Sequence, residues 1–456
     1  MAHAGRVGAE ATRAVDGLVA RAQADGRVPT LVAAVVRDGS LAHLARSGTG
    51  PADPHVQYRI GSITKTMTAV LVLQLRDAGR LALDDPLDRH LPGTPVGQVT
   101  LRQLLGHVSG LRREPAGSWW ERAPGRDLAA LLDGIGPDAL THPPYRRFHY
   151  SNLAYGLLGA VVHRATGEQW RALVDRWLLG PLGMRRTTYL PEQPYARGYV
   201  VHPWHGTLRE EPRHDSLAMA PAGQLWSTPA DLARWAGFLA DPDPAVLAPA
   251  TMAEMCVPVA IRDPDQWASG YGLGVELWRV GERIYAGHAG SMPGYCAVVM
   301  VHRPSRTAVA AVTDAYALRG GGIGQVGRQL LTAVLDLDPV RPPQWSPTAP
   351  GEAPPEPVAP LCGRWWWMGL EYEAAWDPAS SELVLTPLTR LTSSPPASPA
   401  RAYPASRFTQ DGADRWRGTA GPDDGEELLV RRDGTGGVSA LDIATFVYTR
   451  DPDVVG

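Results

Sequence analysis

Ser62 and Lys65, three residues apart in Gly61-Ser62-Ile63-Thr64-Lys65, bring a hydroxyl and an amine together. Lys65 is the only lysine in 456 residues, against 43 arginines. A guanidinium stays charged in a protein, whereas an ammonium shielded from water can lose its proton and then accept another. A single lysine kept beside a serine therefore points to a base that activates a nucleophile. The chain also holds one asparagine, Asn152, in Tyr150-Ser151-Asn152. Its amide can orient a substrate amide and fix Lys65. The Tyr150 phenol can relay the serine proton or, as phenolate, serve as the base. The competing reading makes Ser62 a plain helix cap and lets Lys65 reach solvent. The scarcity of lysine and asparagine elsewhere argues against it.

A third segment, His288-Ala289-Gly290-Ser291, supplies an imidazole and a glycine that lets a substrate backbone approach closely. The backbone N–H groups of Ser62 and Ser291 are candidates for an oxyanion hole. Trp119, Trp120, Trp226 and the Trp365–Trp367 run are candidate apolar walls, with core packing as the competing role for each. Arg450 is a candidate ligand for a substrate carboxylate or peptide terminus, with a surface ion pair as its competitor.

These groups need elements to hold them. Residues 62–79 read as one largely apolar helix, which puts Ser62 and Lys65 on one face at its N-terminal end, where developing negative charge is favoured. Further helices are expected over 9–25, from Asn152 onward, over 168–179, after the Thr228-Pro229-Ala230-Asp231 start signal, and over 322–336. Strand patterns fall at 30–37, 41–47, 270–280, 283–288, 294–302 and 307–313. Strands at both ends of residues 1–338, with helices between, predict an α/β domain. Its sheet gathers distant segments around a helical insertion at about 80–225. Residues 339–360 hold nine prolines in 22 positions and read as a stiff linker. Residues 361–456 alternate like half-buried strands between turns, a small all-β barrel or sandwich with a long loop at 389–406.

A net charge of −3 without a basic stripe argues against nucleic acid as a partner. No apolar run suits a membrane span, and the N-terminal segment lacks the continuous apolar core of a secretory signal, so a cytoplasmic protein is expected. Cys256, Cys296 and Cys362 are widely spaced and read as free thiols. Neither they nor the thirteen histidines form a metal motif, so no metal or cofactor is expected.

Ser-Ile-Thr-Lys, Tyr-Ser-Asn and His-Ala-Gly, in that order, resemble the three motifs of serine β-lactamases and penicillin-binding proteins. The Leu104–Leu111 stretch and the Pro181-Leu182-Gly183-Met184 turn resemble the class C β-lactamase and D,D-peptidase branch. The resemblance covers about residues 10–338 and implies a Ser62 acyl-enzyme, with Lys65 and Tyr150 sharing the acid–base work. His288 departs from the lysine that many β-lactamases carry there. With its all-β C-terminal domain, the chain is similar to stand-alone penicillin-binding-protein-type thioesterases of nonribosomal peptide pathways, which carry a lipocalin-like domain. That likeness implies head-to-tail macrocyclisation of a linear peptide from a carrier-protein thioester, favouring a D-residue at the acyl end. The β-domain would act as a cap over the site. A cytosolic serine hydrolase of the same fold (an esterase, a D-aminopeptidase or amidase, or a β-lactamase-like enzyme) shares every motif and remains the alternative.

Overall fold

The computed structural model describes residues 6–50, 53–316, 318, 321–340, 353–388 and 404–453. The expected linker at 339–360 and the expected loop at 389–406 lie largely outside them. The chain divides into two compact units, Met1–Arg341 and Pro342–Gly456.

The first unit is built on an eight-stranded antiparallel sheet. Its spatial order is Ser40–Gly48, Thr30–Arg37, Thr307–Thr313, Tyr295–His302, Arg283–Met292, Glu276–Val280, Ser269–Tyr271 and Ala260–Ile261. The first hairpin thus pairs directly with a strand nearly 300 residues later, in the register Leu31↔Thr313 to Arg37↔Thr307. All eight residues of Thr30–Arg37 are buried, because helices cover both faces of the sheet. Side chains of a strand alternate between faces, and the alternation is visible here. Leu31, Ala33 and Val35 pack with Val15, Val19, Val326 and Leu330 of the two terminal helices, Ala9–Gly26 and Gly322–Leu337. Val32, Ala34 and Val36 join the larger core with Leu232, Trp235 and Phe238 of the Pro229–Ala240 helix. That helix starts as its sequence predicts, with the Thr228 hydroxyl accepting from the Asp231 N–H.

Two expected elements differ in detail. The predicted strand over 270–280 is two strands separated at Gly272–Val275, where Gly274 has φ of 87°. The helix predicted over 168–179 is a short α segment, Trp170–Leu173, running into a π-helical stretch, Val174–Leu179. No helix among the described residues is long and apolar enough to cross a membrane.

The second unit is a closed eight-stranded antiparallel barrel in which each strand pairs with its neighbour in sequence, and Trp366 opposite Thr449 closes the ring. Its strands are Gly363–Trp367, Leu370–Asp377, Glu382–Pro387, Ser406–Gln410, Arg415–Ala420, Glu427–Arg432, Val438–Ile443 and Phe446–Thr449. Trp365, Leu383, Phe408, Trp416, Leu441 and Ile443 fill the interior, as expected for a small closed barrel.

Candidate active site

Ser62 does not open an α-helix. It sits in a 3-10 turn, Gly61–Ile63, that leads into the helix Thr64–Asp77. Contact with the HAG segment explains the tighter turn. Gly61 has φ of 52°, and a Cβ there would lie 2.5 Å from the Ser291 nitrogen. A Cβ on Gly290 would lie 2.0 Å from the Ile60 oxygen and 2.9 Å from the Ser62 nitrogen. The two glycines interlock, so the backbones at Ser62 and Ser291 face each other at near-minimum separation. Ser62 and Ser291 both line the same cleft.

Lys65 is fully buried, and its ammonium nitrogen donates to Ser62 Oγ at 2.9 Å and to the Ala222 carbonyl at 2.6 Å. The short helix Ala220–Gly223 that carries this carbonyl is pinned to the Lys65 helix by a Thr68 hydroxyl bond to the Pro221 carbonyl. Burial lowers the Lys65 pKa from 10.5 to about 7; the carboxylates of Glu121, Glu114 and Glu276 pull it the other way. The ring of Tyr150 lies 5.0 Å from the Lys65 nitrogen and its hydroxyl bonds with Ser62, yet burial pushes that phenol well above 10.

The Tyr-Ser-Asn segment is set by two devices. Ser151 caps the helix Asn152–Thr166 by accepting from the Ala154 N–H. Its own N–H donates to Nδ1 of His107, and the His107 carbonyl accepts from the His149 N–H. His107 has φ of 56°, lies tilted against Tyr150 with ring centroids 4.3 Å apart, and is kept neutral by burial and by the Lys65 charge.

Asn152 is not on Lys65, contrary to expectation. Its Nδ2 donates to both Glu114 oxygens, at 2.9 and 3.1 Å, while Lys65 bonds Ser62 and the Ala222 carbonyl. Asn152 Oδ1 is buried without a protein partner, and the residue lines the cleft. His288 stands behind the cleft, 1% exposed. Its Nε2 meets the Tyr271 hydroxyl at 3.0 Å, and its Nδ1 lies 2.5 Å from the Ala289 carbonyl. Burial and the Lys65 charge take its pKa to about 3, so it brings no positive charge to the site. The cations at the cleft are arginines instead: Arg113, Arg262, Arg279 and Arg328, with the buried Glu276 paired to Arg262 at 3.6 Å.

The tryptophans part ways. Trp119 is 51% exposed, with Arg122 over its ring. Trp120 is buried, and its indole N–H holds Glu114 at 2.7 Å. Trp226 is core, packed between Tyr195 and Tyr295, and does not reach the cleft. Trp365 lies wholly inside the barrel. Arg450 is held within the barrel too. It stacks 3.7 Å from the Trp365 ring and donates to the carbonyls of Pro360, Cys362 and Arg364, so its donors serve its own domain rather than a substrate.

The cleft at Ser62 encloses about 900 Å³. Sequence reasoning missed its carboxylates. Glu121 lines it, and burial next to Glu114 raises its pKa to about 7. Both glutamates come from the loop-rich region at 112–149, where no periodicity marks an inward side chain. The arginines were hidden by their abundance. His107 sits in a stretch already singled out and carried its own signal, a histidine within an apolar run.

Comparison with known proteins places the chain among serine enzymes. The profile of the Beta-lactamase family matches residues 15–319, and a domain of unknown function, DUF7586, matches residues 354–450. Penicillin-binding protein 4 of Amycolatopsis lactamdurans is 33% identical over 368 residues, 74% of this chain and 93% of that protein. Beta-lactamase-like protein 2 of Dictyostelium discoideum is 26% identical over 319 residues, and the match spans 58% of that protein. Among solved structures, a D-stereospecific amidohydrolase from Streptomyces sp. aligns with TM-score 0.59 and 27% identity over 70% of this chain and 98% of its own. SurE aligns with TM-score 0.58 and 27% identity over 97% of this chain and 99% of its own. A second SurE structure, with D-Leu, aligns at TM-score 0.55 and 26% identity.

Proposed function

The chain belongs to the beta-lactamase family of serine hydrolases and acyl transferases, and from that premise we propose that it releases a linear peptide from a carrier-protein thioester as a head-to-tail macrocycle. The neutral Lys65 amine takes the Ser62 proton as Oγ attacks the thioester carbonyl. The oxyanion is held by the N–H groups of Ser62 and Ser291. Collapse expels the thiolate, which leaves protonated, and the acyl group remains on Ser62. The peptide's own amine then attacks the ester, its proton passes to Lys65 directly or through the Tyr150 hydroxyl, and Ser62 Oγ recovers a proton as it leaves. Tyr150, whose phenol holds its proton tightly, relays rather than abstracts. Asn152 Oδ1 accepts an N–H of the bound peptide, and His288 positions Tyr271 behind it.

One observation supports an amine as acceptor. Glu121 places a carboxyl with a pKa of about 7 in the same cleft as Ser62. It can bind the incoming ammonium and accept the proton that must leave before attack, which raises the effective concentration of the free amine at the ester. A D-residue at the acyl end is favoured by likeness to an amidohydrolase described as D-stereospecific and to SurE holding D-Leu. A cytoplasmic location belongs to the same proposal, since a carrier-protein thioester is made inside the cell. The likeness to the amidohydrolase also supports a second reading, hydrolysis of D-amino-acid amides or esters.

The test is a product mass. Peptidyl thioesters ending in D- or L-residues are offered to the enzyme, with Ser62→Ala as control. Cyclisation gives loss of thiol without gain of water, mainly from D-ends. Loss of thiol with gain of water throughout the panel overturns the cyclase and leaves the hydrolase.

A further inference from the structure

The barrel has a cavity of its own. It encloses about 290 Å³ at one rim, lined by residues at or beside the strand ends at Trp367, Pro387, Ser406 and Phe446. One wall is aromatic. Trp367 lies 4.9 Å from Phe446 and 6.2 Å from Tyr448, and Tyr448 meets Tyr372 edge-on at 5.0 Å. The other lining is acidic, from Glu371 and Asp423.

The two carboxylates differ. Glu371 is matched by Arg364 at 3.3 Å. Asp423 accepts from the Ser406 hydroxyl at 2.5 Å and, among the described residues, has no basic side chain within ion-pair distance. Asp424 and Glu426 on the same turn likewise lack an ion-pair partner among the described residues. The excess of negative charge extends to the whole unit. Residues 342–456 hold sixteen acidic side chains and nine arginines, a net of −7 against −3 for the entire chain. A cavity buried within a negative field raises the local concentration of cations. Aromatic faces attract a cation while burying its alkyl groups, and a carboxylate completes the match.

Burial of a rim aromatic inside the barrel would need no solvent-facing opening, yet Phe446 is 48% exposed while Tyr448, one side chain inward, is 6% exposed. The wall therefore runs from solvent into the cavity, as an entry path does. A purely apolar guest would not need at its margin a carboxylate with no basic partner among the described residues, and a metal ion would not need the aromatic wall.

We propose that this rim of the barrel binds a small organic cation, an alkyl or quaternary ammonium, with its apolar body against Trp367, Phe446 and Tyr448 and its charge toward Asp423. The site is separate from the Ser62 cleft and independent of what Ser62 acylates.

The test uses the full chain and two probes of one shape. Choline carries the charge; 3,3-dimethylbutan-1-ol replaces its nitrogen with carbon. Calorimetry and tryptophan fluorescence read binding. Choline is expected to bind saturably and the alcohol at least tenfold more weakly. Asp423→Asn and Phe446→Ala are each expected to weaken choline at least fivefold. Phe446 is half-exposed, so its truncation keeps the fold even if loss of the Asp423–Ser406 bond does not, and circular dichroism checks both. Equal affinity for the alcohol overturns the cation site in favour of a plain apolar cavity. The absence of saturable choline binding overturns it outright. Choline binding untouched by a folded Phe446→Ala places the cation elsewhere and also overturns it.

Discussion

The base can be read from a pH profile. Burial takes Lys65 from 10.5 to about 7, roughly 5 kcal/mol in favour of the neutral amine. In the proposed mechanism the neutral amine is the form that removes the Ser62 proton. Acylation of Ser62 by a non-titrating ester, followed as kcat/KM, should therefore climb about tenfold per pH unit below 7 and flatten above it. At pH 5 it should run at roughly a hundredth of its plateau. Glu121 titrates in the same range, so the apparent midpoint belongs to both groups. Glu121→Gln separates them. The Glu121 carboxylate raises the lysine, so removing its charge should move the midpoint to lower pH. Tyr150→Phe should lower the plateau yet leave the midpoint in place, because the phenol titrates well above this range. A rate that keeps rising tenfold per unit through pH 9 would mean a lysine near its ordinary value, and the argument from burial would fail. A midpoint that disappears in Tyr150→Phe would assign the base to the phenol.

Further outcomes follow from the same contacts. Lys65→Arg should lower turnover at least a thousandfold in a folded protein, read by kcat with circular dichroism as the check, since a guanidinium does not give up its proton. Lys65→Met should also be inactive but more stable at pH 6. The folded pKa is depressed, so the unfolded chain holds a proton that the folded chain lacks between about 7 and 10.5, and stability rises with pH across that window. The methionine should gain about 2 kcal/mol at pH 6, after the loss of the bond to Ala222, and lose the gain towards pH 10, measured by urea unfolding. Gly290→Ala should cut turnover at least a hundredfold or prevent folding, because its Cβ would meet the Ile60 oxygen at 2.0 Å. Arg450→Met should leave Ser62 acylation unchanged and lower the stability of the barrel by about 1–2 kcal/mol, read as the shift of its thermal transition.

Much of the frame could be read from the sequence because its signals are local or periodic. The apolar run at 31–36 and the Thr228-Pro229 start need only neighbours to interpret, and the order of the three motifs needs only the chain. What failed depends on side chains from distant segments. Nothing near Asn152 says that Glu114 will hold its amide, or that the Ala222 carbonyl will accept from Lys65. Nothing near Arg450 says that Trp365 will be under its guanidinium. His288 kept its place in the motif but lost its charge to burial, and burial is a property of the packed sheet rather than of three residues.

The burial of Lys65 has a practical side in spectroscopy. With one lysine in the chain, growth on lysine carrying carbon-13 at Cε gives a single labelled methylene, and it reports from beside Ser62. Its shift follows the charge of the amine without any assignment. One sample can then be titrated free, acylated on Ser62, or with an amine acceptor present. Asn152 gives the matching probe: one labelled carboxamide, whose two protons report whether Glu114 still holds it once substrate occupies the cleft.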